Sequence, residues 1–284
     1  MNLSKDIFHT LLALTKKQPW LEDKHKELEN LIFGDCSDQD QKELILDLLN
    51  RFEYVSRDNF IKALSEMVED IITDPCLKDE TTQIVAIAAD SSSDSSQWIL
   101  YGLKPLFQKY QWDRYKHVST YGKAYKTYKK SKQHNNIVLV DEFVGTGTTV
   151  LNRVNSLRTA FSDGNVTDYS IRIKAIVSTK IGAKAIRDTG LDFTSQIILP
   201  KGISDYYISS EAKNKIKLML CLESILKEEY LGRKMPKLGF GATESLYCRQ
   251  DGNCPNSVFP IFWWPIYRND DFRPTVLIRA MGDA

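Results

Sequence analysis

Apolar positions along the chain follow two regimes. Up to about residue 75 they recur at helical spacing. Residues 6–14 predict a short helix, and residues 21–32 a more charged one ending near Gly34. Ser37 and Asp38 offer caps for a helix through Leu44, Ile45, Leu48 and Leu49. A further helix begins near Ser56, with Phe60, Ile61, Leu64, Met67, Val68 and Ile71 on one face and Asp74-Pro75 as its stop. This block carries no constellation of metal ligands or nucleophiles and reads as a packing or partner-binding bundle. From Ile84 the pattern changes. Uninterrupted apolar runs at 84–89 and 137–140, and apolar-rich stretches at 170–178 and 193–199, predict strands. Amphipathic stretches at 97–110, 150–161, 183–189 and 209–231 predict the helices between and after them, the last stopped by Gly232. Continuous apolar runs suit strands buried on both faces. Alternation of β and α with short turns calls for a parallel, right-handed wound sheet, with ligands beyond the carboxyl ends of its strands. The predicted class is α/β: a parallel sheet flanked by helices, preceded by a helical region.

The last fifty residues break this pattern. LGFG at 238–241, NCPN at 253–256 and FPIFWWP at 259–265 combine glycine, proline and aromatics. They suit a structural lid on the core, an oligomer interface, or a hood that stacks an acceptor base between aromatics. The expected domains are a helical region over 1–78, an α/β core over 79–232 and a C-terminal hood or lid over 233–284. At 284 residues the chain accommodates a core of roughly 150 residues and an appended domain. A net charge of +1 argues against both a general nucleic-acid coat and an acidic tail. The longest apolar run, 258–267, is interrupted by two prolines, so no membrane span is expected. The N-terminus carries an acid and polar residues in its first turns, unlike a signal peptide. Five dispersed cysteines predict reduced thiols and a cytoplasmic protein. Cys248 and Cys254, six apart with no partnering pair, do not match zinc spacing.

Candidate chemistry concentrates in residues 136–149, NIVLVDEFVGTGTT. Four apolar residues lead into Asp141 and Glu142, then two more apolar residues, then Gly145-Thr146-Gly147-Thr148-Thr149. A small-residue loop entering a helix offers backbone N–H groups and a positive dipole end, which suits a phosphate. Acids at a strand's carboxyl end suit a vicinal diol or a metal's waters. The plain alternative is a buried strand, a turn and a capped helix. A second small-residue loop, Asp90-Ser91-Ser92-Ser93-Asp94-Ser95-Ser96, follows the first core strand and has either the same anion-binding geometry or the role of a polar turn with a serine cap. The third feature is 115–135, YKHVSTYGKAYKTYKKSKQHN. It carries Lys116, Lys123, Lys126, Lys129, Lys130 and Lys132 among tyrosines, with no acid. Such a segment is a solvated surface or a stacking, charge-tracking path for a polynucleotide.

The stretch 136–149 resembles the PRPP-binding motif of type I phosphoribosyltransferases. The resemblance places Asp141 and Glu142 on the ribose hydroxyls and Gly145 to Thr149 around the 5-phosphate. It implies PRPP as donor substrate and Mg2+ as cofactor. Thr148 stands where many members have a second glycine. Gly145 stands where the purine-salvage branch carries an Asp proposed as general base, so that branch's chemistry is not implied. The loop at Asp90 and Ser91–Ser93 corresponds to the pyrophosphate loop of the family, but without its basic or glycine-rich character. Asp94 or Asp90, with Asp141, could help hold a magnesium bridging the pyrophosphate. Residues 115–135 correspond to the flexible loop that closes over pyrophosphate, where Lys123 and Lys126 would neutralise leaving-group charge. As a whole the layout resembles phosphoribosyltransferase-like effectors of bacterial anti-phage conflict systems, some encoded beside retron reverse transcriptases. That implies a toxin held silent by a reverse transcriptase with its RNA and DNA, or by another defence subunit, with homo-oligomerisation open. The functional expectation is transfer of phosphoribose to a nucleotide, nucleic-acid or protein acceptor. The alternative is a catalytically silent module sensing PRPP or a nucleotide.

Overall fold

The computed structural model describes residues 5–89 and 95–281, apart from the side chain of Asp6. In chain order the first elements are α1 (Lys5–Lys17), α2 (His25–Glu29, continued by a π-turn over Asn30–Asp35), α3 (Gln39–Asn50), β1 (Glu53–Val55) and α4 (Arg57–Ile72). The α/β alternation follows as β2 (Thr82–Ala86), α5 (Ser95–Lys109), β3 (Lys116–Val118), α6 (Ala124–Ser131), β4 (Asn136–Val144), α7 (Thr148–Asp163), β5 (Ser170–Thr179), α8 (Lys180–Arg187) and β6 (Asp192–Leu199). After these come α9 (Ser209–Glu223), β7 (Glu229–Tyr230), β8 (Arg233–Lys234) and β9 (Tyr247–Arg249). Two compact units result: residues 58–198, and residues 1–57 together with 199–284. No helix among the described residues is long and apolar enough to cross a membrane.

The unit 58–198 is the expected α/β core, a five-stranded parallel sheet in the order β3-β2-β4-β5-β6. β4 is central, pairing with β2 from Thr82↔Asn136 to Ala86↔Val140 and with β5 from Asn136↔Ser170 to Val144↔Ser178. Ile137, Val138, Leu139 and Val140 are each 0% exposed, because both faces of the sheet are covered. Ile137, Leu139, Ile173 and Ala175 meet Val150, Val154, Leu157 and Phe161 of α7 and Ala183 and Ile186 of α8. α5 packs on β2 and β4. α4 joins α5 in this unit: the Phe60 and Trp98 rings lie 5.1 Å apart. Its end is tied to β5 by Arg172 Nε donating to Asp74 at 2.9 Å. β4 is longer than its apolar run predicts. It continues through both acids, since Asp141 pairs with Ala175 and Phe143 with Val177.

The other unit joins the two ends of the chain in one core. Leu28, Leu31, Leu44, Ile45, Leu48 and Leu49 of the N-terminal helices cluster with Phe259, Ile261, Phe262, Trp263 and Trp264. Asp38 caps α3 as expected, accepting from Gln41 N–H at 2.9 Å. β1 runs parallel to β9, and Phe52 meets Phe262 edge-on at 5.8 Å. A buried ion pair, Arg273 Nη2 to Asp35 Oδ2 at 2.6 Å, locks the tail to the π-turn. The Tyr267 hydroxyl donates to the same carboxylate at 2.8 Å.

The boundary expected at 78 falls at 57, because α4 groups with α5 and the α/β unit rather than with the helices before it. Residues 199–232, expected in the α/β core, join the other unit. Residues 233–284 are not a separate hood: Phe259, Phe262, Trp263 and Trp264 are at most 2% exposed, so they are core and not a base-stacking surface. The helix expected to reach 231 ends at Glu223. Beyond it, β7 and β8 form a hairpin whose two turn residues, Leu231 (φ 50°) and Gly232 (φ 74°), both take the left-handed conformation such a tight turn requires. Gly232 therefore turns a hairpin rather than stopping a helix.

Candidate functional site

At the carboxyl end of β4 the polypeptide goes from strand to helix in three residues, Gly145 to Gly147. Asp141 and Glu142 are the last polar positions of the strand. Asp141 is half-buried, and its Oδ1 accepts from the Glu142 N–H at 2.8 Å. Glu142 is 4% exposed. Gly147 is the N-cap of α7 with φ 79° and ψ −8°, a conformation that suits glycine. It swings the chain so that α7 starts with Thr148 and Thr149 exposed and Val150 buried. Thr146 and Thr148 share a hydroxyl hydrogen bond of 2.9 Å. The first intrahelical bond of α7 runs from Leu151 N–H to Gly147 O at 3.0 Å. The N–H groups of its first turn consequently point out of the helix end. α7 spans sixteen residues, long enough for a substantial positive end there. Two acids in the last residues of β4 and the outward-facing N–H groups of α7 thus flank one short turn. Such an arrangement can hold a molecule carrying a phosphate and adjacent hydroxyls.

The turn is held from beneath by residues that sequence reasoning passed over. Thr179, last residue of β5, donates its hydroxyl to Gly145 O at 2.6 Å. The Thr179 hydroxyl oxygen in turn accepts from Gly182 N–H at 3.0 Å, capping α8. Gly182 sits so close that a Cβ there would lie 2.3 Å from Gly145 O and 3.0 Å from Val144 Cγ1. A Cβ on Gly147 would lie 3.1 Å from Gly182 O and 3.2 Å from Ile186 Cγ1. β5–α8 is thus a floor against which the loop is pressed. The available signal was a second strand ending in Ser178-Thr179 just before a helix with glycine at its third position. That signal marks a cap but does not say which loop rests on it.

The other expected site residues distribute differently. Asp90, Ser91, Ser92, Ser93 and Asp94 lie outside the described residues. The flanks of that segment are fixed: Ala88 N–H donates to Ser96 Oγ at 3.1 Å, and Tyr121 N–H donates to Ala88 O at 3.2 Å. Lys123 and Lys126 do not stand on a flexible loop. Residues 116–131 form β3, a 3-10 turn over Tyr121–Lys123 and α6, because their tyrosines give the segment an apolar face to bury. Tyr125 and Tyr128 lie 5.0 and 5.3 Å from the Phe161 ring, which removes them from base stacking. Lys123 and Lys126 are exposed, and the Lys123 ammonium reaches Ser119 Oγ at 3.3 Å. Arg153 of α7 stacks on Tyr121 at 4.8 Å, tying this segment to the first turns of α7. Among the described residues no group of three or more His, Cys, Asp or Glu is arranged to hold a metal. A cavity of about 460 Å³ lined by Arg158, Tyr169, Arg172 and Asp192 opens at the amino ends of β5 and β6, away from the loop.

A family model described as PRTase-CE matches residues 20–275. No curated protein matches the chain. Solved structures with similarity include a hypoxanthine-guanine phosphoribosyltransferase from Schistosoma mansoni in complex with IMP, at 12% identity over 51% of this chain and a TM-score of 0.34. The similarity spans only 65% of that enzyme's own chain. An orotate phosphoribosyltransferase from Aeropyrum pernix is 14% identical over 50% of this chain and 72% of its own, with a TM-score of 0.31. A hypothetical protein from Neisseria gonorrhoeae with bound ppGpp is 10% identical over 59% of this chain and 96% of its own, with a TM-score of 0.35.

Proposed function

The chain belongs to the PRTase-CE family, a phosphoribosyltransferase-like group, and from that premise we propose that the turn between β4 and α7 binds PRPP. The observation that carries the reading is the acid pair near the carboxyl end of β4, followed within five residues by the left-handed Gly147 that caps α7. Asp141 and Glu142 take the ribose hydroxyls. The N–H groups and hydroxyls of Gly145, Thr146, Gly147, Thr148 and Thr149 take the 5-phosphate. Carboxylates at a strand end would suit Mg2+ carried in by the substrate. Asp141, with Asp94 or Asp90, would hold it, and the ion would neutralise the leaving diphosphate. Transfer of phosphoribose breaks the bond between the anomeric carbon and the diphosphate oxygen and forms one to a nucleophilic acceptor. Positioning and charge screening supply most of the acceleration for such a loose transition state. Lys123 and Lys126 contribute positive charge at the same end of the sheet.

The acceptor is a nucleotide, a nucleic acid or a protein, and the biological role we propose is that of a conflict-system effector held silent by a partner. The helical front, the motif and the glycine- and tryptophan-rich tail support that role. Copurification with a reverse transcriptase and its RNA would support it further, and absence of toxicity from the freely expressed chain would count against it. The chemistry is tested by pyrophosphate release from PRPP with cell extract as acceptor source. Asp141→Asn is expected to lower release by about a hundredfold or more without changing the melting temperature. Undiminished release would overturn the assignment. PRPP binding by the wild-type chain with no release would mark a sensor instead.

A further inference from the structure

The lysines of residues 115–135 are the part of the sequence that the PRPP reading absorbs least. The structure sorts the segment cleanly. Tyr121, Tyr125 and Tyr128 fall at helical spacing on one side and pack against the cluster around Phe161. Tyr125 is pressed so tightly on Gly164 that a Cβ there would lie 1.8 Å from its hydroxyl. Lys116, Lys123, Lys126, Lys129, Lys130 and Lys132 are all left exposed. None of the six forms an ion pair with a described carboxylate. Asp168, which follows α7, instead accepts from Asn135. Elsewhere the chain does neutralise helix lysines, as in Lys62–Glu66 of α4 and Lys184–Asp188 of α8. Lysines spaced three and four apart on one helix repel each other, so α6 keeps a destabilising arrangement that a polyanion would relieve. The concentration is local, since the chain as a whole is close to neutral.

We propose that α6 is a docking surface for a polynucleotide, with Lys123, Lys126, Lys129 and Lys130 contacting the sugar–phosphate backbone. From Lys123 to Lys130 the row extends about 10 Å at 1.5 Å per residue, enough for several backbone charges. With the tyrosines turned inward, binding is electrostatic and indifferent to base sequence. The same inward packing leaves α6 no apolar face for insertion into a lipid surface. Tyr121 ties the start of this segment both to Ala88 beyond β2 and to Arg153 of α7. A strand lying along α6 therefore runs toward the end of the sheet that carries the Asp141–Thr149 turn. That the bound polynucleotide is also the phosphoribose acceptor rests on the transferase reading; the docking itself does not.

The test is fluorescence anisotropy of the full chain with a labelled single-stranded RNA of about 20 nucleotides, without PRPP, from about 50 to 200 mM salt. The wild-type chain should show log K falling linearly with log salt. Lys126→Glu with Lys130→Glu should weaken binding at least tenfold and flatten the slope by about 1.4. The matched control Lys213→Glu with Lys217→Glu, on α9, should stay within twofold. Equal losses in both variants would overturn the proposal, as would salt-independent binding. So would binding to phosphatidylserine vesicles that the RNA cannot displace. If the glutamate variant unfolds, Lys126→Gln with Lys130→Gln should still weaken binding severalfold, and no loss there overturns the proposal. Asp141→Asn should bind the RNA as the wild-type chain does. Loss of its PRPP turnover with RNA binding intact separates the two readings.

Discussion

Gly182 has no room for a side chain, and its position decides the shape of a loop 35 residues earlier. A Cβ there would meet Gly145 O at 2.3 Å, a backbone atom that moves only with the loop. Gly182→Ala is therefore expected to push Gly145 off Thr179, costing about 1–3 kcal/mol as an overpacking change. It should also weaken PRPP binding at least tenfold. Urea denaturation and calorimetric titration of PRPP check the two effects together, and unchanged affinity with lowered stability would mean that the loop does not carry the phosphate. At this scale the sequence was uneven. Asp141, Glu142 and Gly145 to Thr149 stand together in the chain, so their pattern is visible without a structure. Thr179 and Gly182 act on Gly145 through a packing contact between two separate strand–helix units. Nothing local announces which loop they support.

Elements built on a strong apolar period were legible, and those whose period is carried by tyrosine were not. The strands β2, β4, β5 and β6, and the amphipathic stripes of α4, α5 and α7, all appear near their expected places. α6 was hidden because lysine dominates its composition, while Tyr121, Tyr125 and Tyr128 supply the buried side. Amphipathic side chains of that kind present an apolar body at helical spacing yet read as polar one by one. α9 failed in the opposite direction. Ile225 and Leu226 continue its apolar period past Glu223, but Leu226 bridges to Tyr267 and leaves the helix. The anchor of α6 makes a prediction. Phe161 is 0% exposed and touches Tyr125, Tyr128 and Tyr169. Phe161→Ala should cost about 3–5 kcal/mol. Hydrogen exchange should show residues 124–131 losing protection before β4 does; equal loss in both would mean that α6 is held by something other than this cluster.

At the scale of the whole molecule, the unit formed by the two ends of the chain contains a carboxyl group that ties its stability to pH. Glu223, at the end of α9, is 0% exposed. Burial pushes its pKa up to about 8, against smaller lowering effects from the Leu238 N–H and Lys237. In the folded chain it therefore stays protonated over a range where the unfolded chain ionises. Its contribution is fully present below the ordinary value of 4.5 and is lost as pH rises through about 8. The slope over that window approaches about 1.4 kcal/mol per pH unit. Asp47 acts in the opposite sense. Burial raises its pKa, but hydrogen bonds from Arg51 and Tyr207 outweigh that and hold it below its ordinary value, so its contribution disappears on the acid side. Stability of this unit should accordingly peak in mildly acidic solution rather than at neutrality. Urea midpoints followed by tryptophan fluorescence should fall between about pH 5 and 8, since Trp20, Trp263 and Trp264 all belong to this unit. Glu223→Gln keeps an acceptor for the Leu238 N–H and cannot ionise, so its midpoint should stay level across the same range. A wild-type midpoint as level as the variant's would show that Glu223 is already ionised in the folded core, with Lys237 then drawn in as its counter-charge.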